Sequence, residues 1–272
     1  MQANFNILRS RIFLPIISMI FLSSCQPQVD PITIPSTIPT VQIQLTKTQS
    51  FHLTPEATTI LNVASQTPKM ITSAVPYEQQ PCSPLMDHGL EELSQIISQP
   101  YDPPPPGSDA RHHGLDFFYY QANGQGSIAG EFIQTILPGI VAAVINDRLP
   151  YGNMVIIETP PSLLGPRMQS IPELKENFSI YHLYAHMANA PDLSIGNPVT
   201  CGQFLGQVGQ TGYNVPVPHL HLETRFGPSG QTIGQMAFYD TQATPQENDN
   251  YLLWRTSGEF NHFDPMIILA GY

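Results

Sequence analysis

Positive charge is what this 272-residue chain has least of: ten Lys and Arg stand against 21 Asp and Glu, a formal net charge of −11, and charged residues of either sign make up 11 %. This argues against nucleic acid as a partner, whose binding rests on neutralising phosphates with Lys and Arg, and equally against attraction to an anionic wall or lipid surface. A membrane-spanning run is also missing. The apolar stretch "IFLPIISMIFL" at residues 12–22 falls short of the roughly 20 residues a spanning helix needs. Behind Arg9 and Arg11 it suits the apolar region of a secretory signal instead. With that signal removed, eight basic residues remain against 21 acidic ones, a net of about −13. Helical periodicity is scarce and no internal repeat is evident. Alternating apolar and polar segments, broken by 19 Gly and 28 Pro, predict a mainly β fold.

From Gln26 to about Val75 the chain is rich in Pro, Thr, Gln and Ser, nearly uncharged and without a sustained period. It reads as a flexible or polyproline-like tether over 25–75, although the alternation in "VQIQLTKTQSFHL" would also allow an accessory hairpin. Residues 76–272 suit one domain, with a core at about 110–270. Within it, "MDHGLEELSQIISQ" has the apolar spacing of one short helix, and "YDPPPPGSD" makes a stiff approach to His112.

Three phrases carry the chemistry: "RHHGLDFF" with His112 and Asp116, "YHLYAHM" with His186, and "PHLHLETR" with His219 and His221. A catalytic zinc takes roughly three N or O ligands and keeps its fourth position for water, and these residue types can supply such a set. On a strand, His219 and His221 point the same way, with Glu223 on that face and Leu220 on the other. His112 and Asp116 have helical spacing, yet Gly114 and the run Phe117, Phe118, Tyr119 and Tyr120 argue for a turn entering a strand. Taken singly, each element is weak: a His-X-His pair on a strand is more often ordinary packing than a ligand pair.

The order of the three phrases resembles the M23 peptidases, the lysostaphin-like or LytM family of zinc metallopeptidases, in which H-x-G-x-D, Y-x-H and H-L-H follow one another. Here "HHGLD", "YAH" and "HLHLE" fill those places. "ILPGIVAAVIND", "YGNMVIIET", "SIGNPVTCGQFLGQVGQTG" and "FDPMIIL" resemble the intervening and closing segments, so the likeness spans roughly 110–270. It implies a two-layer antiparallel sheet with a surface groove. It also implies one zinc ion held by His112, Asp116 and His221, with His186 and His219 as unliganded catalytic histidines. The reaction implied is endopeptidase cleavage of peptidoglycan cross-bridges or stem peptides. Some members of the family have lost ligands and serve as silent activators of cell-wall amidases; this chain keeps all five residues. A zinc peptidase acting on a non-wall peptide fits the same residues. A cupin-type site also uses His-X-His, but it needs a Glu four or five residues beyond the second histidine, whereas Glu223 lies two beyond His221.

Zinc held by two imidazoles and a carboxylate stays net positive and lowers the pKa of a bound water toward about 7, while histidines near their usual pKa of about 6.5 can move protons. Tyr184 is expected to share a face with His186, where it would bind substrate or sit in the core. Glu223 is a candidate for substrate contact or for support of a ligand. His52, His88, His113, His182 and His262 read as packing or surface residues. The chain departs from the family pattern by an insertion after Asp116, a loop from Thr159 to Phe178, and Val217 where glycine is usual. Loops after Thr159 and after Phe226 are long enough to cover the groove, with an Asn or Asp of theirs as a latch on the zinc. No wall-binding repeat or SH3-like targeting domain is visible.

The apolar run ends in "LSSC", which resembles the lipobox of bacterial lipoproteins, so Cys25 would carry lipid, 1–24 would be the signal peptide, and the protein would be an exported, membrane-anchored lipoprotein facing the wall or periplasm. A plain cleaved signal is the alternative. Three cysteines leave an odd one in an exported chain; with Cys25 assigned to lipid, Cys82 and Cys201 form a candidate disulfide, two buried thiols being the other reading. A monomer is expected.

Overall fold

The alternating segments of the chain become antiparallel strands. The structure is a computed structural model and describes residues 80–119 and 126–270. The expected signal peptide, the tether, its alternative hairpin, Cys25 and Tyr120 all lie outside the described residues. In chain order come β1 (Ile97–Gln99), β2 (Gly114–Phe117), β3 (Phe132–Gln134), β4 (Gly139–Arg148), β5 (Gly152–Thr159), α1 (Pro166–Gln169), β6 (Phe178–Met187), β7 (Pro198–Val199), β8 (Phe204–Gln207), β9 (Leu220–Pro228), α2 (Pro245–Arg255), β10 (Asn261–Phe263) and α3 (Met266–Leu269).

An eight-stranded sheet runs β1-β2-β9-β6-β5-β4-β7, with β10 also on β9, and β3 pairs with β8 in a small second sheet. All recorded pairings are antiparallel. The expected mainly β class is the one observed. Residues of β5, β6 and β9 are buried on both faces, and the two faces feed separate clusters. Leu115, Phe117, Val155, Ile157, Tyr184, Leu220 and Leu222 meet Ile133 and Leu205 of the small sheet. Ala143, Ile156, Tyr181, Leu183 and Ala185 meet Tyr251 and Trp254 of α2 and Phe260. Completely burying one such side chain contributes about 1.5–3 kcal/mol, so the central strands have little freedom to slip.

The short helix expected over "MDHGLEELSQIISQ" does not form. The segment makes a three-residue 3-10 turn at Leu93–Gln95 and then β1. The helical spacing lost to pairing with β2, and the β-branched Ile96 and Ile97 favour the extended form. Cys82 and Cys201, 119 residues apart, are joined by a disulfide. Among the described residues no helix is long and apolar enough to cross a membrane.

Candidate metal centre

Two of the donors are placed by register alone. In the β2–β9 ladder Asp116 stands directly opposite His221 and Gly114 opposite Glu223, so both pairs face the same side. Glycine is required at 114, because a Cβ there would lie 2.3 Å from the Leu222 carbonyl oxygen. His112 lies just before β2, held by a backbone bridge to Asp102. His219 lies just before β9 and, two residues from His221, shares its face. The expected turn entering a strand is what the chain forms here.

His186 arrives differently. Between β5 and β6 the register slips, Asn153 pairing with Met187 but Val155 with Tyr184. One extra residue therefore bulges on β6, and His186 has φ 59°. A bulge of this kind re-aims a side chain, and here it turns His186 into the groove. The expectation that Tyr184 shares a face with His186 is not met. Tyr184 is fully buried in the opposite cluster, where its hydroxyl accepts from the Ile136 N–H at 2.7 Å and pairs with His182 Nδ1 at 2.9 Å. It does not line the groove that holds His186.

The donor atoms converge. His112 Nε2 lies 3.1 Å from Asp116 Oδ1 and 3.1 Å from His221 Nδ1, and His221 Nδ1 lies 2.8 Å from Asp116 Oδ1. These three are the group among the described residues whose ligand atoms could hold a metal, all lying within 4.8 Å of one another. The far nitrogens fix the tautomers. His112 Nδ1 donates to the Pro100 carbonyl at 2.9 Å, and His221 Nε2 donates to Glu223 Oε1 at 3.1 Å. Each neutral imidazole then turns a lone pair toward the cluster. Tetrahedral ligands on zinc stand about 3.3 Å apart, close to the separations found, so the set fits a zinc ion.

The other two histidines of the group are held in the same manner. His186 Nδ1 donates to the Thr211 carbonyl and His219 Nδ1 to the Val217 carbonyl, each at 2.9 Å, which leaves both Nε2 atoms as acceptors. The two rings are 4.7 Å apart, and His219 Nε2 is 3.6 Å from Asp116 Oδ2.

Electrostatics separates the groups. Burial raises the pKa of Asp116, but the adjoining His112 and His221 outweigh it and hold the carboxyl well below its usual range. Burial lowers that of His221, yet Asp116 and Glu223 push it up to about 9, so a metal ion would displace the Nδ1 proton to reach the lone pair. Burial, with His221 and His219 nearby, lowers His186 to about 3. Burial likewise disfavours the charged form of Glu223, but Arg225, His221 and Arg255 keep it ionised, far below the ordinary value.

All five histidine and aspartate residues line one open groove of about 560 Å³, whose walls include Tyr213, Asn214, Val217 and Tyr239. No family model matches the sequence, and no curated protein does. Solved structures with similarity to the chain include the catalytic domain of the M23 protein EnpA from Enterococcus faecalis: 23 % identity, 50 % of this chain and 85 % of that one, TM-score 0.34. The catalytic domain of lysostaphin from Staphylococcus simulans gives 22 %, 52 % and 87 %, and 0.34. A zinc-containing peptidase from Vibrio cholerae gives 21 %, 47 % and 32 %, and 0.32.

M23 peptidases are thus among the structures this chain is similar to. At such identities and TM-scores the chemistry stands on the chain's own donor atoms.

Several residues of the site had no sequence motif. Tyr151 donates to Glu223 Oε1 at 2.5 Å, and Arg225 and Trp254 donate to Glu223 Oε2. Glu223 is therefore a support for His221, buried completely. His113 is buried against Arg225 and His262, while His88 and His262 bond tyrosine hydroxyls. His52 lies outside the described residues. The loop after Thr159 stays off the groove, and the loop after Phe226 contributes Tyr239 but no Asn or Asp to its walls, so the expected latch is not made.

Proposed function

We propose that the chain is a zinc-dependent endopeptidase that hydrolyses peptide bonds in peptidoglycan cross-bridges or stem peptides. The observation that carries this is the convergence of His112, Asp116 and His221 beside two histidines whose Nε2 atoms are free acceptors at the floor of an open groove. Peptidoglycan as substrate rests on the motif resemblance, together with export and lipid anchoring at Cys25 read from the amino terminus.

When bound, one zinc ion would acidify a water and polarise the scissile carbonyl. The residues of the chain do the rest. Asp116 and the two liganding imidazoles set the charge of the site, with Glu223 and the Pro100 carbonyl holding the imidazoles in the liganding tautomer. One of His186 and His219 accepts at Nε2 the single proton that the attacking water gives up, and the same imidazole then donates it to the departing amine.

The test is mass spectrometry of products released from purified peptidoglycan by zinc-loaded protein and by its His219→Ala form. New amine termini made only by the native chain support the reading and identify the bond. A chain that binds zinc yet releases nothing from wall, while cleaving other peptides or activating an amidase, overturns it.

A further inference from the structure

We infer that Arg255 is a positioning residue that ties the two ligand-bearing segments to each other; this rests on the metal reading above. Arg255 ends α2, a helix in the long stretch after β9. That helix is fixed at its start by a capping box between Thr244 and Glu247 and by Arg148 Nε on Glu247 at 2.9 Å. At its end Tyr251 and Trp254 are buried, so Arg255 is delivered to a set place, its side chain 10 % exposed.

A guanidinium is a rigid fork of five N–H donors, and here the fork spans two carboxylates. Nε donates to Asp109 Oδ1 at 2.6 Å. Nη1 donates to Glu223 Oε1 and to the Tyr151 hydroxyl, both at 3.1 Å. Glu223 Oε1 is the atom that receives the His221 Nε2 proton, so this arm reaches one metal ligand. Asp109 stands three residues before His112 and also takes the Tyr251 and Tyr239 hydroxyls, at 2.9 Å each on Oδ2. The other arm therefore pins the segment that delivers His112, and with it the ring of Tyr239 in the groove wall. Tyr239 sits at φ 58° and stacks on Tyr213 at 6.1 Å, a backbone conformation that persists only where the surroundings hold it.

The test uses the full chain and reads zinc affinity by chelator competition, with folding checked by near-ultraviolet circular dichroism. Supports of liganding histidines typically carry about 10–100-fold in metal affinity, and that loss is expected in Arg255→Met, with a smaller loss in Arg255→Lys. Asp109→Asn, at a less buried position, should weaken zinc too, and the double variant should be no worse than the worse single one. Tyr239→Phe should raise KM for a peptide substrate and leave zinc affinity alone. Folded Arg255→Met and Asp109→Asn proteins that hold zinc as tightly as the native chain overturn the inference. A native chain that binds no zinc overturns the metal reading instead.

Discussion

Two regions of the same sheet place histidines in the groove by opposite means. The β2–β9 ladder does so by keeping register: Asp116 faces His221 and Gly114 faces Glu223, and alternation alone predicts which side each takes. The β5–β6 pair does so by losing register, the extra residue at the end of β6 turning His186 through a left-handed conformation. Regular pairing brings donor atoms together in a way that is readable from spacing; a bulge turns a histidine to a face that spacing misassigns, as Tyr184 illustrates.

The largest expected effects separate ligands from proton carriers. His221→Ala should abolish zinc binding. His219→Ala and His186→Ala should keep zinc and lose turnover by about 10²–10⁴-fold, the usual range for general acid–base residues. Metal content and kcat measured on the same preparations decide it, and equal zinc loss in all three would erase the distinction between the two regions.

Gly114→Ala attacks the regular half. Its methyl meets the Leu222 carbonyl, so the urea midpoint should fall by the equivalent of about 1–3 kcal/mol, with zinc affinity falling as Asp116 and His221 are pushed apart.

Thr211→Val attacks the bulged half. Its hydroxyl accepts from the Asn153 N–H at 2.9 Å and donates to the Met187 carbonyl at 2.8 Å, the two residues whose pairing closes one end of the slipped register. A loss of about 1–2 kcal/mol is expected, together with a drop in kcat and unchanged zinc affinity. Unchanged kcat would mean that the bulge does not need Thr211 to aim His186.

A further effect is in the pH dependence. Burial lowers His182, on the core side of β6, from 6.5 to about 3. The unfolded chain binds that proton near 6.5 and the folded chain does not, so this contribution to stability is complete above pH 6.5 and is lost as pH falls toward 3. Denaturation at pH 7 and pH 4.5 should show a larger difference for the native chain than for His182→Gln.

What was legible follows the same division. The strands "YGNMVIIET" and "YHLYAHM" show as β-rich runs because each residue's burial is set by the pleat. The pairing of His112, Asp116 and His221 is carried by motifs whose spacing matches a ladder. The helix expected near Leu93 was lost because a neighbouring strand offered Ile97 better partners than a helix turn could. Tyr151, Arg225 and Arg255 carry no motif at all. The one available signal for Arg255 was the Thr-Pro-Gln-Glu start of its helix, which predicts α2 but not what its last residue touches.

By itself, then, the sequence determined the class of fold and the residue types available as donors, since strand alternation and side-chain chemistry are local properties of a few consecutive residues. Only the tertiary structure decided that His186 belongs in the groove and Tyr184 does not, and that Glu223 and Asp109 share one guanidinium. Those facts depend on register between strands and on a helix folding back over the sheet, and neither is encoded in the spacing of any one segment.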